Sequence, residues 1–151
     1  MTEDTKIRFK FNKINEYKYL SHLEIVRLIM MAVSRAEINI RYSEGFSPNP
    51  KINFSFPVPV GLASIAEYAD IDLLEKMDSS EFKRILNLAL TENMHLSDAK
   101  NISGKVPSLM GDIGFCKFVF RLDLSGKKSE SEVKNNIMSN QELSGSIHSL
   151  E

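Results

Sequence analysis

The residues best equipped for chemistry in this chain fall in short clusters. Ser21-His22-Leu23-Glu24 sets a hydroxyl beside an imidazole, the pairing that nucleophilic catalysis uses. The same four residues also spell a helix start. Ser21 as the cap accepts from the backbone N–H of Glu24, and Glu24 reaches back to the N–H of Ser21. The capping box is the better account, and it leaves His22 at the first helical position as a candidate binding residue. Glu67, Asp70 and Asp72 bring together carboxylates of the kind that hold a metal or share a proton. Cross-strand pairing with Lys6, Arg8 or Lys10 explains them more cheaply. His22, His95 and His148 lack paired ligand spacing, so no metal site is expected. Cys116 is the only cysteine, which excludes an internal disulfide and any iron–sulfur or zinc centre held by cysteines of this chain alone. There is no glycine-rich dinucleotide fingerprint, phosphate loop or nucleophile elbow. The chain therefore reads as a binding protein with no catalytic residue and no cofactor of its own.

The most shaped segment is Arg41-Tyr42-Ser43-Glu44-Gly45-Phe46-Ser47-Pro48-Asn49-Pro50-Lys51. Gly45 accepts a positive φ at no steric cost, and two prolines at alternate positions fix their own φ and push the preceding residues to extended geometry. Such a loop is preshaped. The structural alternative has Tyr42 and Phe46 plugging the end of the core. The functional reading is a binding surface of His22, Arg41, Tyr42, Ser43, Gly45, Phe46, Asn49 and Lys51. Tyr17-Lys18-Tyr19 and the loop interleave aromatic and basic residues as single-strand nucleic-acid sites do, although such aromatics more often serve a core.

The elements that must position these groups follow from periodicity. Residues 6–13 alternate, with Ile7, Phe9 and Phe11 opposite a basic face of Lys6, Arg8 and Lys10. Residues 20–36 carry apolar residues at helical spacing over more than one stripe. Ile52, Phe54 and Phe56 mark a second strand that Pro57 and Pro59 stop, and residues 68–73 mark a third. Asp78 caps a helix carrying Phe82, Ile85, Leu86 and Leu90, and residues 95–102 offer a fourth strand. The order β-α-β-β-α-β predicts an α+β fold, a ferredoxin-like unit over residues 5–102 with an antiparallel sheet and both helices on one face. Residues 103–114 read as a linker or long hairpin loop. Residues 115–143 read as a partial second β-α unit, with a strand through Phe118, Phe120, Leu122 and Leu124 and a weak helix over 129–140. Cys116, at the start of that strand, is expected to be half-buried and inert. Residues 144–151 read as a tail, with Leu150-Glu151 as a cloning remnant.

Net charge is −1 over 151 residues, but residues 1–61 carry nine Lys/Arg against six Asp/Glu, and residues 62–110 carry five against eight. That asymmetry is far weaker than the footprint of a typical nucleic-acid binder. No apolar run approaches the roughly 20 residues that span a bilayer, and residues 1–6 are polar rather than signal-like, so a cytoplasmic protein without membrane contact is expected.

The 41–51 loop, together with Tyr19-Leu20-Ser21-His22-Leu23-Glu24, Arg35-Ala36, the run Pro57-Val58-Pro59-Val60-Gly61-Leu62-Ala63-Ser64 and Glu67-Tyr68-Ala69-Asp70-Ile71, resembles the bacterial radical-SAM-linked family, an uncharacterised group also called DUF2344. The resemblance covers residues 7–73. The family pattern has a histidine where this chain has Asn49, so a proton-transfer or metal role of that histidine is not carried over. What the resemblance implies is an accessory, substrate-holding module that works with a radical-SAM enzyme, on an RNA or ribosome-related substrate. One cysteine excludes the chain from being that enzyme. The alternative is a stand-alone RNA-binding or RNA-processing domain using the helix-free sheet face, with Lys6, Arg8, Lys10, Lys51 and Asn53 as its footprint. Neutralisation of that face by Asp70 and Asp72 would remove its electrostatic basis.

Overall fold

The computed structural model describes residues 5–104, 107–119 and 129–139. These form two compact units, residues 1–114 and 115–151. The first is built on a four-stranded, open, antiparallel sheet. Strand β1 (Lys6–Lys13) is flanked by β3 (Ser64–Asp72) and β4 (Leu96–Ile102), and β2 (Ile52–Phe54) pairs with the outer edge of β3. The register sets Phe9 opposite Ala69 on one side and Ala99 on the other. Small residues beside a central phenylalanine let its ring stand between the strands and the helices.

Two helices cover the Ile7/Phe9/Phe11 face. Helix α1 (His22–Arg35) buries Ile25, Ile29, Ala32 and Val33, and helix α2 (Ser79–Ala89) buries Phe82 and Leu86. Phe9 lies between Phe11 and Phe82, with ring centroids 5.9 and 5.6 Å away. Each such side chain removed from water contributes about 1.5–3 kcal/mol. The box foreseen at Ser21 is formed. Asp78 caps α2 by accepting from the N–H groups of Ser80 and Glu81. No described helix is long and apolar enough to cross a membrane.

β3 begins earlier than the alternation of residues 68–73 suggests. Phe11 pairs with Glu67 but Lys13 pairs with Ser64, so β3 carries an extra residue there. Ile65 and Ala66 are both exposed at this bulge, which breaks the period-2 pattern. Residues 103–114 are also more than a connector. Their short helix α3 (Leu109–Asp112), capped by Ser108, lies against the sheet face opposite α1 and α2 and buries Leu109. That face is therefore not free of helix.

In the second unit, helix α4 (Glu130–Ser139) stands where the weak helix is predicted, and Ser129 Oγ accepts from the N–H of Glu132. Residues 117–119 form no strand, and the rest of the alternating run, with Phe120, Leu122 and Leu124, lies outside the described residues, as does the 144–151 tail. Cys116 is exposed rather than half-buried.

Candidate functional site

The 41–51 segment is a closed loop held at its base by backbone pairing. Lys51 N–H donates to Arg41 O at 2.8 Å, and Tyr42 and Pro50 form an isolated bridge. Above it, Ser43 N–H donates to Asn49 O at 2.8 Å, and Asn49 N–H donates to Ser43 Oγ at 2.9 Å. Asn49 thus closes the loop, and its side-chain amide also donates to Ser47 O. The base is locked to the sheet edge through Arg41 N–H to Asp72 O, Asp72 N–H to Lys51 O and Arg41 Nε to Leu73 O. Gly45 has φ 124°, a region closed to ordinary side chains. Phe46 plugs nothing: its relative exposure is 107 %, as open as in an extended chain, and Tyr42 is half exposed.

His22 is exposed at the start of α1, but not beside this loop. Its ring meets Phe54 edge-on, centroids 5.4 Å apart. Phe54 pairs with Ala69, whereas the loop base bonds to Asp72, three residues further along β3 and so about 10 Å away at 3.3–3.4 Å per residue. The sequence-predicted surface thus separates into a loop with Arg41, Tyr42, Ser43, Gly45, Phe46, Asn49 and Lys51, and a second locus at His22.

That second locus is a small pocket of about 10 Å³, lined by Phe11, Lys13, His22, Ile25, Phe54, Ser55, Pro57, Val58 and Glu67. Lys13 is 3 % and Glu67 7 % exposed. Lys13 Nζ donates to Val58 O at 3.2 Å, and Ser55 Oγ accepts from Tyr68 N–H.

On the opposite face, Arg8 is 6 % exposed. Its Nε and Nη2 donate to the two oxygens of Asp70 at 2.7 and 2.9 Å, and its Nη1 donates to Asp112 of α3. The hydrogen bond to Asp70 comes first among the causes that hold the Arg8 guanidinium above its ordinary value. Lys6 pairs with Asp72 at 3.5 Å. Lys10 stands opposite Asp98 in the register with β4, and Asn53 and Lys51 remain exposed. A groove of about 650 Å³ runs beside these residues, between Lys6, Asn53 and Asp70 and residues 107–110. Among the described residues no group of three or more His, Cys, Asp or Glu is gathered as a metal would require.

The family model described as an uncharacterized protein conserved in bacteria, DUF2344, matches residues 6–146. The chain belongs to the DUF2344 family. No curated protein matches the chain. No solved structure matches it either.

In this DUF2344 chain the motif segments fall on particular parts of the fold. The Ser21 motif starts α1, the 41–51 segment is the edge loop, and the proline run at 57–64 leads back into β3. Gly61 N–H donates to Lys18 O at 2.7 Å, which ties that run to the 3-10 turn Asn15–Tyr19. Sequence reasoning missed Lys13 and Ser55 and read Glu67 only as a partner of the basic face. Glu67 shares the parity of Ala69 and Ile71 and so falls on the helix-covered face, which alternation carried back from those residues would have indicated. The charged residue Lys13 closing an otherwise alternating apolar face was the available signal.

Proposed function

We propose that this chain is a non-catalytic accessory module that docks a macromolecular partner through the 41–51 loop. Phe46 carries the reading. An aromatic ring left fully in water, on a loop cross-tied by Ser43 and Asn49, is placed for burial against a partner at little ordering cost. We take the partner to be a radical-SAM enzyme acting on an RNA or ribosome-related substrate, the company that the family resemblance implies, in the cytoplasm. The domain is read as ferredoxin-like; the order β1-α1-β2-β3-α2-β4 and the strand order β2-β3-β1-β4 support this. Direct RNA binding by the sheet face ranks second, because Arg8 and Lys6 are already engaged by Asp70, Asp112 and Asp72. The test is co-purification with the host's radical-SAM proteins, comparing the wild-type chain with Phe46→Ala. Capture by the wild type and its loss in the variant, at unchanged thermal stability, is the expected outcome; equal capture by both removes the loop from the account.

A further inference from the structure

Arg8 holds one acid more than its charge requires. Its Nε and Nη2 donate to the two oxygens of Asp70, and that pair, buried on both sides, is neutral by itself. Its Nη1 donates to a second carboxylate, Asp112 of α3, whose side chain is 48 % exposed. The two acids differ in what their loss leaves behind. Removal of Asp70 strands a buried cation, whereas release of Asp112 sends a half-exposed carboxylate into water and leaves Arg8 paired. Asp112 is the exchangeable partner.

Helix α3 is otherwise lightly held. It is one turn long, and Leu109 is its only buried residue. A groove of about 650 Å³ opens between residues 107–110 and Lys6, Asn53 and Asp70, where a segment packed as tightly as a core would leave no such space. The charge of the sheet face beneath also depends on α3. In register, Lys6 stands opposite Asp72, Arg8 opposite Asp70 and Lys10 opposite Asp98, while Lys100, beside Arg8, adds a cation that no acid on the strands of this face offsets. Asp112 brings the face to neutrality; without it one positive charge is in excess. The bond from Arg8 to Asp112 itself shows that the outward nitrogen takes an oxyanion. We propose that α3 is a detachable strap and Asp112 an internal competitor for the outward nitrogen of Arg8, which on release receives an incoming oxyanion, a carboxylate or a phosphate.

The test titrates inorganic phosphate, and separately acetate, into the full chain at constant ionic strength against a chloride control. Two readouts are followed together: the Arg8 Nε and Nη NMR resonances, and hydrogen exchange at the amides of Gly111 and Asp112, both of which donate to Ser108 O. In the wild type at least one of the two oxyanions should shift Arg8 saturably and speed exchange at both amides several-fold, because ligand and strap compete for one nitrogen. The oxyanion that saturates at the lower concentration identifies the source. An intramolecular competitor acts at an effective concentration on the order of millimolar, so Asp112→Ala should lower the half-saturating concentration about tenfold, and Leu109→Ala should lower it with Asp112 retained. Replacement of the buried pair together, Arg8→Met with Asp70→Leu, should abolish the response in a folded chain. Where that variant fails to fold, the comparison of wild type with Asp112→Ala still decides. No saturable shift in either chain, equal half-saturation in both, or a shift at Arg8 with strap exchange unchanged in the wild type would overturn the proposal. None of these results touches the Phe46 test, which rests on a different segment.

Discussion

Gly45 is the residue on which the loop's shape turns. With φ 124° and no atom within 4 Å of a Cβ placed there, a substitution meets no clash and suffers from backbone strain alone. Gly45→Ala should therefore cost about 1–3 kcal/mol, measurable by urea denaturation, or else distort the loop and weaken partner binding at little cost in stability. Arg8 lies at the other extreme, its role set by its neighbours' charge. Arg8→Ala leaves Asp70 buried without its bidentate partner and should cost about 3–5 kcal/mol. Asp70 facing the basic strand was legible from alternation, because both residues fall on the polar face of their strands. Asp112 was not, since a contact across 104 residues of chain leaves no periodic trace. Asn49 was legible only as a departure from the family pattern; its role in closing the loop needed coordinates.

The elements were readable where one periodicity ran unbroken. Residues 6–13 alternate up to the charged Lys13 on the apolar face and form β1 at those bounds, and α1 and α2 begin after the caps at Ser21 and Asp78. β3 was readable only from residue 68, because the bulge at Ile65 and Ala66 puts two successive side chains in water. α3 is a single turn, too short for any period to register, and the glycines of residues 103–114 mimic a linker. The cap of α1 makes a prediction at this scale. Ser21→Ala should cost about 1 kcal/mol in thermal melts, whereas exposed His22→Ala should leave stability nearly unchanged. Glu24 completes the box: Ser21 hydroxyl and backbone donors hold its carboxyl below its ordinary value of 4.5. A lowered folded value means that its contribution is full above that ordinary value and is lost as pH falls through the lowered one. Glu24→Gln should therefore flatten the acid limb of the stability profile, read by denaturation at successively lower pH.

For the whole molecule, a net charge of −1 and an internally paired sheet face argue against strong nucleic-acid attraction. A direct binder using about four basic contacts to a single strand would show log affinity falling against log salt with a slope near −3, at about −0.7 per neutralised phosphate. The isolated chain should bind RNA weakly, with a gain when the radical-SAM protein is added. Tight, salt-sensitive binding lost in Lys6→Ala/Arg8→Ala/Lys10→Ala would promote the sheet face instead. The central claim is that the loop docks a protein, and the measurement that tests it most directly is the affinity of the purified chain for the host's radical-SAM protein by calorimetric titration. A buried aromatic anchor is worth about 2 kcal/mol or more, so Phe46→Ala should weaken that complex about 30-fold while leaving the melting temperature unchanged. No detectable complex with the wild-type chain, or equal affinity for wild type and Phe46→Ala, would contradict it.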